Sequence, residues 1–400
     1  MSALLSRRVT PLFALLGPAA ISLCWARPTR GGAVAGEPWR PALDWSETTE
    51  SPRPGGTGGT VDPSLAAVCP ATDGALGSVA TTIAARRLAS PDAESLVQAL
   101  RAAGSPHLWP RALTLSGQRI DPTDAASRLR AWLGTERPRG ARRCGVGAVR
   151  HADGTEVVTA VAIDAEADLD RVPVRARVGS WITVNATALV PAIGAKVVLL
   201  GPTGPPRPVP TSFANGRVSA RANVDRRGAW LFQVLLHTSA GPHPVLEATV
   251  FAGVDPPAAP LAAPAPGEAL GRLAGDPARL LLEMVNAARA SEGLAELARD
   301  EGLGRVAKEH AERMMRARRL DHDIGEGDPR QRVEAADIAA REVGENVAHA
   351  ASLPLAHRAT WSSPSHRANL LERRFGRLGV GVATDADGTV WAAEVFASDQ

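Results

Sequence analysis

The chain has 400 residues, of which 44% are apolar and 22% charged, with a formal net charge of +3. A single core stops growing near roughly 250 to 300 residues, so two or three domains are expected, and these fractions exclude a disordered or a membrane-embedded chain. Lysine occurs only at 196 and 308, and arginines alternate with acids instead of forming a basic stripe, which argues against a nucleic-acid partner.

Residues 1–26 carry Arg7 and Arg8, an apolar stretch from 9 to 25 and a small residue, Ala26. This is the grammar of a cleaved secretory signal peptide, and it places the protein outside the cell or in its envelope. The rivals are an uncleaved anchor, which Pro11, Pro18 and shortness against ~20 spanning residues oppose, and lipidation at Cys24, which bulky Leu23 opposes. After cleavage no transmembrane segment is expected. Residues 27–64, rich in Gly, Pro and Arg, read as a disordered linker. Cys69 and Cys144 then remain in an oxidising compartment and are expected to pair, the alternative being two buried thiols.

From 65 to 167 helical spacing appears at Leu96, Leu100 and Ala103, and again at Ala126, Leu129, Trp132 and Leu133, which predicts an α+β lobe. From 168 to 254 short β-branched runs alternate with Gly/Pro turns: Trp181-Ile-Thr-Val-Asn, Lys196-Val-Val-Leu-Leu, Arg217-Val-Ser-Ala-Arg, Trp230-Leu-Phe-Gln-Val and Val245-Leu-Glu-Ala-Thr-Val-Phe. They predict an immunoglobulin-like β-sandwich, by architecture only, since no Cys pair flanks a Trp there. Residues 255–272 alternate Pro and Ala as a stiff linker, and 273–400 form a further domain.

In that domain Leu281, Met284, Val285 and Ala288 make one helical stripe, with Asn286 and Arg289 on the polar side. Leu303, Val306, Ala307, Ala311 and Met314 make another, on which His310 reads as a surface or satisfied core histidine. Then come Leu320-Asp-His-Asp, Gly344-Glu-Asn-Val-Ala and Trp361-Ser-Ser-Pro-Ser-His-Arg-Ala-Asn-Leu, and a closing hairpin runs from Gly379-Val-Gly-Val to Trp391 and Phe396. Trp361 and Trp391 read as core anchors.

This ordered series, over residues 276–398, resembles the CAP superfamily of cysteine-rich secretory, antigen 5 and pathogenesis-related proteins, which includes many secreted bacterial proteins. The resemblance implies an α-β-α sandwich with a cleft where His322, Glu345 and His366 converge, Asn346 and Arg367 beside them. Fuller members add an acid after the Trp, where this chain has Ser362 and Ser363. Two imidazoles and a carboxylate are a donor set that Zn²⁺ accepts; the competing reading is a hydrogen-bonded polar pocket in which Glu345 orients a histidine. Arg367 and Asn369 can instead fix their loop through carbonyls, and Glu345 can instead be the N-terminal carboxylate of a helix.

Cys144-Gly-Val-Gly-Ala-Val-Arg-His-Ala-Asp-Gly-Thr aligns without gaps to Leu378-Gly-Val-Gly-Val-Ala-Thr-Asp-Ala-Asp-Gly-Thr, and Trp132 precedes the first as Trp361 does the second. The first copy lacks the His-Arg-x-Asn and Gly-Glu-Asn segments. Residues 65–165 are therefore expected to be a CAP-like lobe without its pocket, against the plainer reading of an independent Asp-Gly hairpin.

The expected function is binding: a secreted or envelope-associated module whose His/Glu cleft takes a metal ion, a lipid, a small ligand or an envelope component. One alternative is a hydrolase, with metal-activated water and Glu345 as base, or with Ser363 or Ser365 as nucleophile beside His366; no G-x-S-x-G or H-E-x-x-H supports it. The other is a structural adhesion protein acting through its β-sandwich.

Overall fold

The computed structural model describes residues 39–52, 62–89, 91, 93–238, 241–259 and 263–399, so the expected signal peptide lies outside the described residues. After a short strand β1 (Thr48–Thr49) the first lobe runs α1 (Pro63–Ala66), α2 (Gly74–Ala85), α3 (Ala93–Ala102), β2 (Arg111–Gly117), α4 (Pro122–Leu133), β3 (Ala141–Arg150) and β4 (Glu156–Ala165). Its three strands are ordered β2-β4-β3, all antiparallel. Central β4 is buried on both faces: Val161 and Ile163 meet Leu76, Ala80 and Ile83 of α2, while Val158 and Ala160 meet Leu129 of α4 and Leu65 of α1. That is why the strand reads as a continuous apolar run and not as an alternation. The Cys69–Cys144 disulfide joins the segment after α1 to β3.

Ten strands follow: β5 (Ala167–Leu169), β6 (Val172–Pro173), β7 (Arg175–Ala176), β8 (Ser180–Ala188), β9 (Gly194–Leu200), β10 (Arg207–Val209), β11 (Thr211–Ala214), β12 (Arg217–Val224), β13 (Gly228–Thr238) and β14 (Gly241–Ala252). They form a sheet β10-β9-β13-β14-β7 and a sheet β11-β12-β8-β5 that share one core, with Trp230, Phe232 and Leu199 from the first against Val184, Val218 and Ala220 from the second.

The C-terminal domain comprises α5 (Pro277–Ser291), β15 (Ala298–Arg299), α6 (Glu301–Ala317), α7 (Pro329–Ala335), β16 (Val343–Ala350), α8 (Leu353–Ser362), α9 (Pro364–Leu370), β17 (Arg377–Thr384) and β18 (Val390–Ala397). Asp-Pro pairs start α4, α5 and α7: the aspartate caps free amides and the proline fills the first turn, where no donor is needed. The sheet is ordered β15-β17-β18-β16. Leu303, Ala307 and Met314 of α6 cover one face against Trp391, Ala393 and Val395. Helices α5, α8 and α9 cover the other. Arg289, expected on the polar side of α5, is 2% exposed and donates to the carbonyls of Ala295, Leu370 and Glu372. It ties α5 to the end of α9.

The two α/β parts repeat each other in detail. The order β2-β4-β3 matches β16-β18-β17, and the hairpins share register, from Cys144↔Ala162 to Arg150↔Glu156 in one and Leu378↔Phe396 to Thr384↔Val390 in the other. Asp73 caps α2 and Asp300 caps α6; their own amides donate to the carbonyls of Cys144 and Leu378 at 3.1 and 3.0 Å. Gly145 and Gly147 lie against the backbone of Leu76-Gly77 and Ala80-Thr81, and Gly379 and Gly381 lie against that of Leu303-Gly304 and Ala307-Lys308. No helix of the first lobe corresponds to α9: residues 134–140 run directly from α4 to β3.

Residues 39–52, read from the sequence as tether, are packed. Trp39 and Leu43 are buried, β1 pairs with β6, and Trp45 donates to the Pro257 carbonyl at 2.8 Å and meets Phe251 edge-on. Residues 263–272, read as linker, end in a 3₁₀ turn whose buried Glu268 accepts from Ala265 N and pairs with Arg358 of α8. Composition signalled the first segment as disordered and the second as a stiff spacer; two tryptophans and a buried carboxylate with partners pack both against the folded parts.

Candidate functional site

Helix α6 sets His310 on its apolar stripe, 1% exposed. One ring nitrogen contacts the Asp321 carbonyl at 2.9 Å, and the other faces the Glu326 carboxylate at 2.6 Å. This pins the loop after α6 so that the next residue, His322, reaches strand β16. There the His322 Nδ1–H donates to Glu345 Oε2 at 2.8 Å. Arg332, held by the capped helix α7, donates to the other oxygen, Oε1, and to the carbonyls of His322 and Gly327. His310 Nε2 lies 3.8 Å from Glu345 Oε2. Burial alone would raise the Glu345 pKa, but the His322 hydrogen bond and the charges of His322, Arg332 and His310 outweigh it, so the carboxyl sits below its ordinary value.

His366, on the short helix α9, completes the cluster within electrostatic reach of His322 and Glu345. It is 8% exposed; burial, with His322 adding and Glu345 opposing, pushes its pKa down to about 3. The imidazole is therefore neutral at physiological pH and offers one donor and one acceptor. Among the described residues no protein group hydrogen-bonds its ring or the Nε2 of His322.

Asn346 and Arg367 do not join the three. Successive residues of β16 face opposite sides, so Asn346 turns away from the cleft. It is fully buried, donates to the His366 carbonyl and to Glu394, and accepts from Asn369, which also donates to the Glu345 carbonyl. Asn346 thus staples α9 to the sheet and sets where His366 points. Arg367 stacks on Trp361 at 3.5 Å, its pKa lowered to about 10 by burial against the pull of Glu292. Glu345 lies in a strand, not at a helix start: β16 is the edge of the sheet and pairs with β18, Glu345 opposite Val395.

The zinc reading fits poorly, because both Glu345 oxygens are committed and a metal would have to displace Arg332. Among the described residues no group of three His, Cys, Asp or Glu side chains is placed to hold a metal ion. The Ser363 hydroxyl accepts from Gln233 of β13, and among the described residues the Ser365 hydroxyl has no hydrogen-bond partner, His366 included. Sequence reasoning missed Glu326 and Arg332, which lie in and after an irregular Gly-rich loop. His310 carried a usable signal, its place on the stripe of Leu303, Ala307, Ala311 and Met314.

Compared with known proteins, the model of the cysteine-rich secretory protein (CAP) family matches residues 282–397. The uncharacterised protein YkwD of Bacillus subtilis is 29% identical over 116 residues, 28% of this chain and 44% of that protein, so less than half of that relative is spanned. An outer surface protein of Borrelia burgdorferi aligns at 23% identity over 31% of this chain and 93% of its own, with a TM-score of 0.30. An extracellular SCP-domain protein of Bacillus anthracis aligns at 16% identity over 58% and 86%, with a TM-score of 0.29. This chain carries, in its C-terminal third, a domain of the cysteine-rich secretory protein (CAP) family.

Proposed function

We propose that the chain is an exported, envelope-associated binding protein whose ligand enters the cleft of His322, Glu345 and His366. The observation that carries this reading is the neutral ring of His366 near the Nε2 of His322, both without a hydrogen-bond partner among the described residues, with His322 held in place by Glu345 and Arg332. One buried and one half-buried imidazole edge, without protein partners among the described residues, suit a neutral or anionic polar group on a small ligand, a lipid or an envelope component. Residues 65–165 act as a pocketless CAP-like lobe, and residues 168–254 as an immunoglobulin-like spacer, and both touch the cleft's surroundings. Export rests on the basic and apolar start of the chain. Among the described residues no helix is long and apolar enough to cross a membrane.

Incubation of the full chain with peptidoglycan fragments, lipid vesicles and ester and peptide libraries tests this reading. Retention without turnover, lost in the His322→Ala/Glu345→Ala/His366→Ala variant, is expected; turnover that the triple variant abolishes would move the protein to the hydrolases. Calorimetric zinc titration is expected to show no saturable site, and a site lost in His366→Ala would restore the metal reading.

A further inference from the structure

Both rims of the cleft are held by residues outside the CAP domain. On the His322 side, Arg139 of the first lobe pairs with Asp321 at 2.9 Å and donates to the Leu320 carbonyl at 3.4 Å. On the His366 side, the Gln233 amide of β13 donates to Ser363 Oγ at 3.2 Å and accepts from the Ser365 amide at 2.9 Å, gripping the first turn of α9. Gln233 is 1% exposed and is itself fixed by Glu247, which pairs with Arg101 of α3. A third group, His243 bonded to Glu166 at 2.8 Å, lies within electrostatic reach of Asp321.

Arg139 comes from residues 134–140, the stretch that stands where the C-terminal domain has the segment bearing α9. The lobe that lacks a pocket helix uses the shortened connection to touch its sister's pocket. With this grip in place Glu345 is 5% and His366 8% exposed. We propose that Arg139 and Gln233 form an intramolecular clamp that keeps the His322–His366 cleft closed, so that ligand enters only when the CAP domain shifts away from the other two parts. This rests on the reading of that cleft as the ligand site. The two halves differ in strength. The Arg139 side chain is 40% exposed, so its ion pair is a weak, salt-screened latch, whereas Gln233 is a buried hinge point. A weak latch beside a firm seat lets the cleft open without unfolding.

Diethylpyrocarbonate acylates neutral, accessible imidazole, and its rate at His366 can be read by peptide mass spectrometry on the full chain at pH 7. Slow modification is expected in the parent, roughly fivefold faster in Arg139→Ala, near the parent rate in Arg139→Lys, and more than about tenfold faster in Arg139→Ala/Gln233→Ala. Raising salt from low to about 1 M is expected to speed the parent toward Arg139→Ala. Arg139 is surface-exposed, so its variant tests the clamp even if the double variant misfolds. Parent His366 reacting as fast as a free histidine peptide, or Arg139→Ala leaving the rate unchanged, would overturn the clamp. This readout needs no ligand, so it can fail while the ligand reading stands, and the reverse.

Discussion

Gly381 of β17 and Ala307 of α6 are in backbone contact: a Cβ at Gly381 would fall 2.2 Å from the Ala307 carbonyl carbon. Gly147 stands in the same relation to α2, where a Cβ would fall 2.3 Å from the Thr81 amide nitrogen. In each copy the Gly-x-Gly pair lets a helix lie directly on a strand.

Alanine at Gly381 or at Gly147 is therefore expected to destabilise by about 2 to 3 kcal/mol, because backbone must move to admit the methyl group. Chemical denaturation of each variant measures it. Losses below about 0.5 kcal/mol at both sites would mean the packing is looser than described.

Arg332→Ala strips the buried Glu345 of its guanidinium partner. A cost of about 3 kcal/mol is expected at pH 7, since the charge that remains is buried. Glu345 has its folded pKa below the unfolded value, so its contribution is present above about pH 4.5 and fades as pH falls. The deficit of the variant is thus expected to shrink in acid, and urea unfolding at pH 7 and pH 4 checks both halves.

Two buried groups give opposite pH slopes. Burial raises Glu394 to about 7 from 4.5, with Asn346 opposing, so its penalty is absent below about pH 4.5 and complete above about 7. His366, lowered from 6.5 to about 3, carries no penalty above about 6.5 and a growing one in acid. Glu394→Gln is expected to raise stability at pH 8 by on the order of 3 kcal/mol and to leave it nearly unchanged at pH 4.5. His366→Gln is expected to help only below pH 6. Thermal unfolding across pH 4 to 8 would count against these environments if either variant shifted the curve equally at all pH values.

The Cys69–Cys144 bond closes a span of 75 residues, and Cys144 is fully buried between α4 and the sheet. Reduction is expected to cost about 4 kcal/mol by chain entropy, seen as an earlier transition of the first lobe under dithiothreitol. An unchanged transition would mean that packing alone holds the lobe.

Much of this architecture was legible because its signals are local or ordered. The strands from Trp181, Lys196, Arg217, Trp230 and Val245 all fall in β8, β9, β12, β13 and β14, and the Asp-Gly turns at Gly154 and Gly388 take the positive φ that glycine permits. The cleft was legible for His322, Glu345 and His366, since each sits in a recognisable motif. Its other half was not. Arg332 and Glu326 matter through contacts across a loop of irregular backbone, and no periodicity encodes them. Asn346, which the resemblance puts beside the cleft, is sent to the far face by strand alternation. Strand β2 escaped notice between two helices, being one short half-buried run, Arg111–Gly117.

The most direct test of the account is co-sedimentation of the full chain with purified peptidoglycan and with anionic lipid vesicles, comparing the parent with His366→Ala. The expected result is that the parent pellets with one of the two and that His366→Ala weakens this at least about tenfold, the loss of one buried polar contact to a ligand. Equal retention of parent and variant on both would place binding outside the cleft and contradict the account.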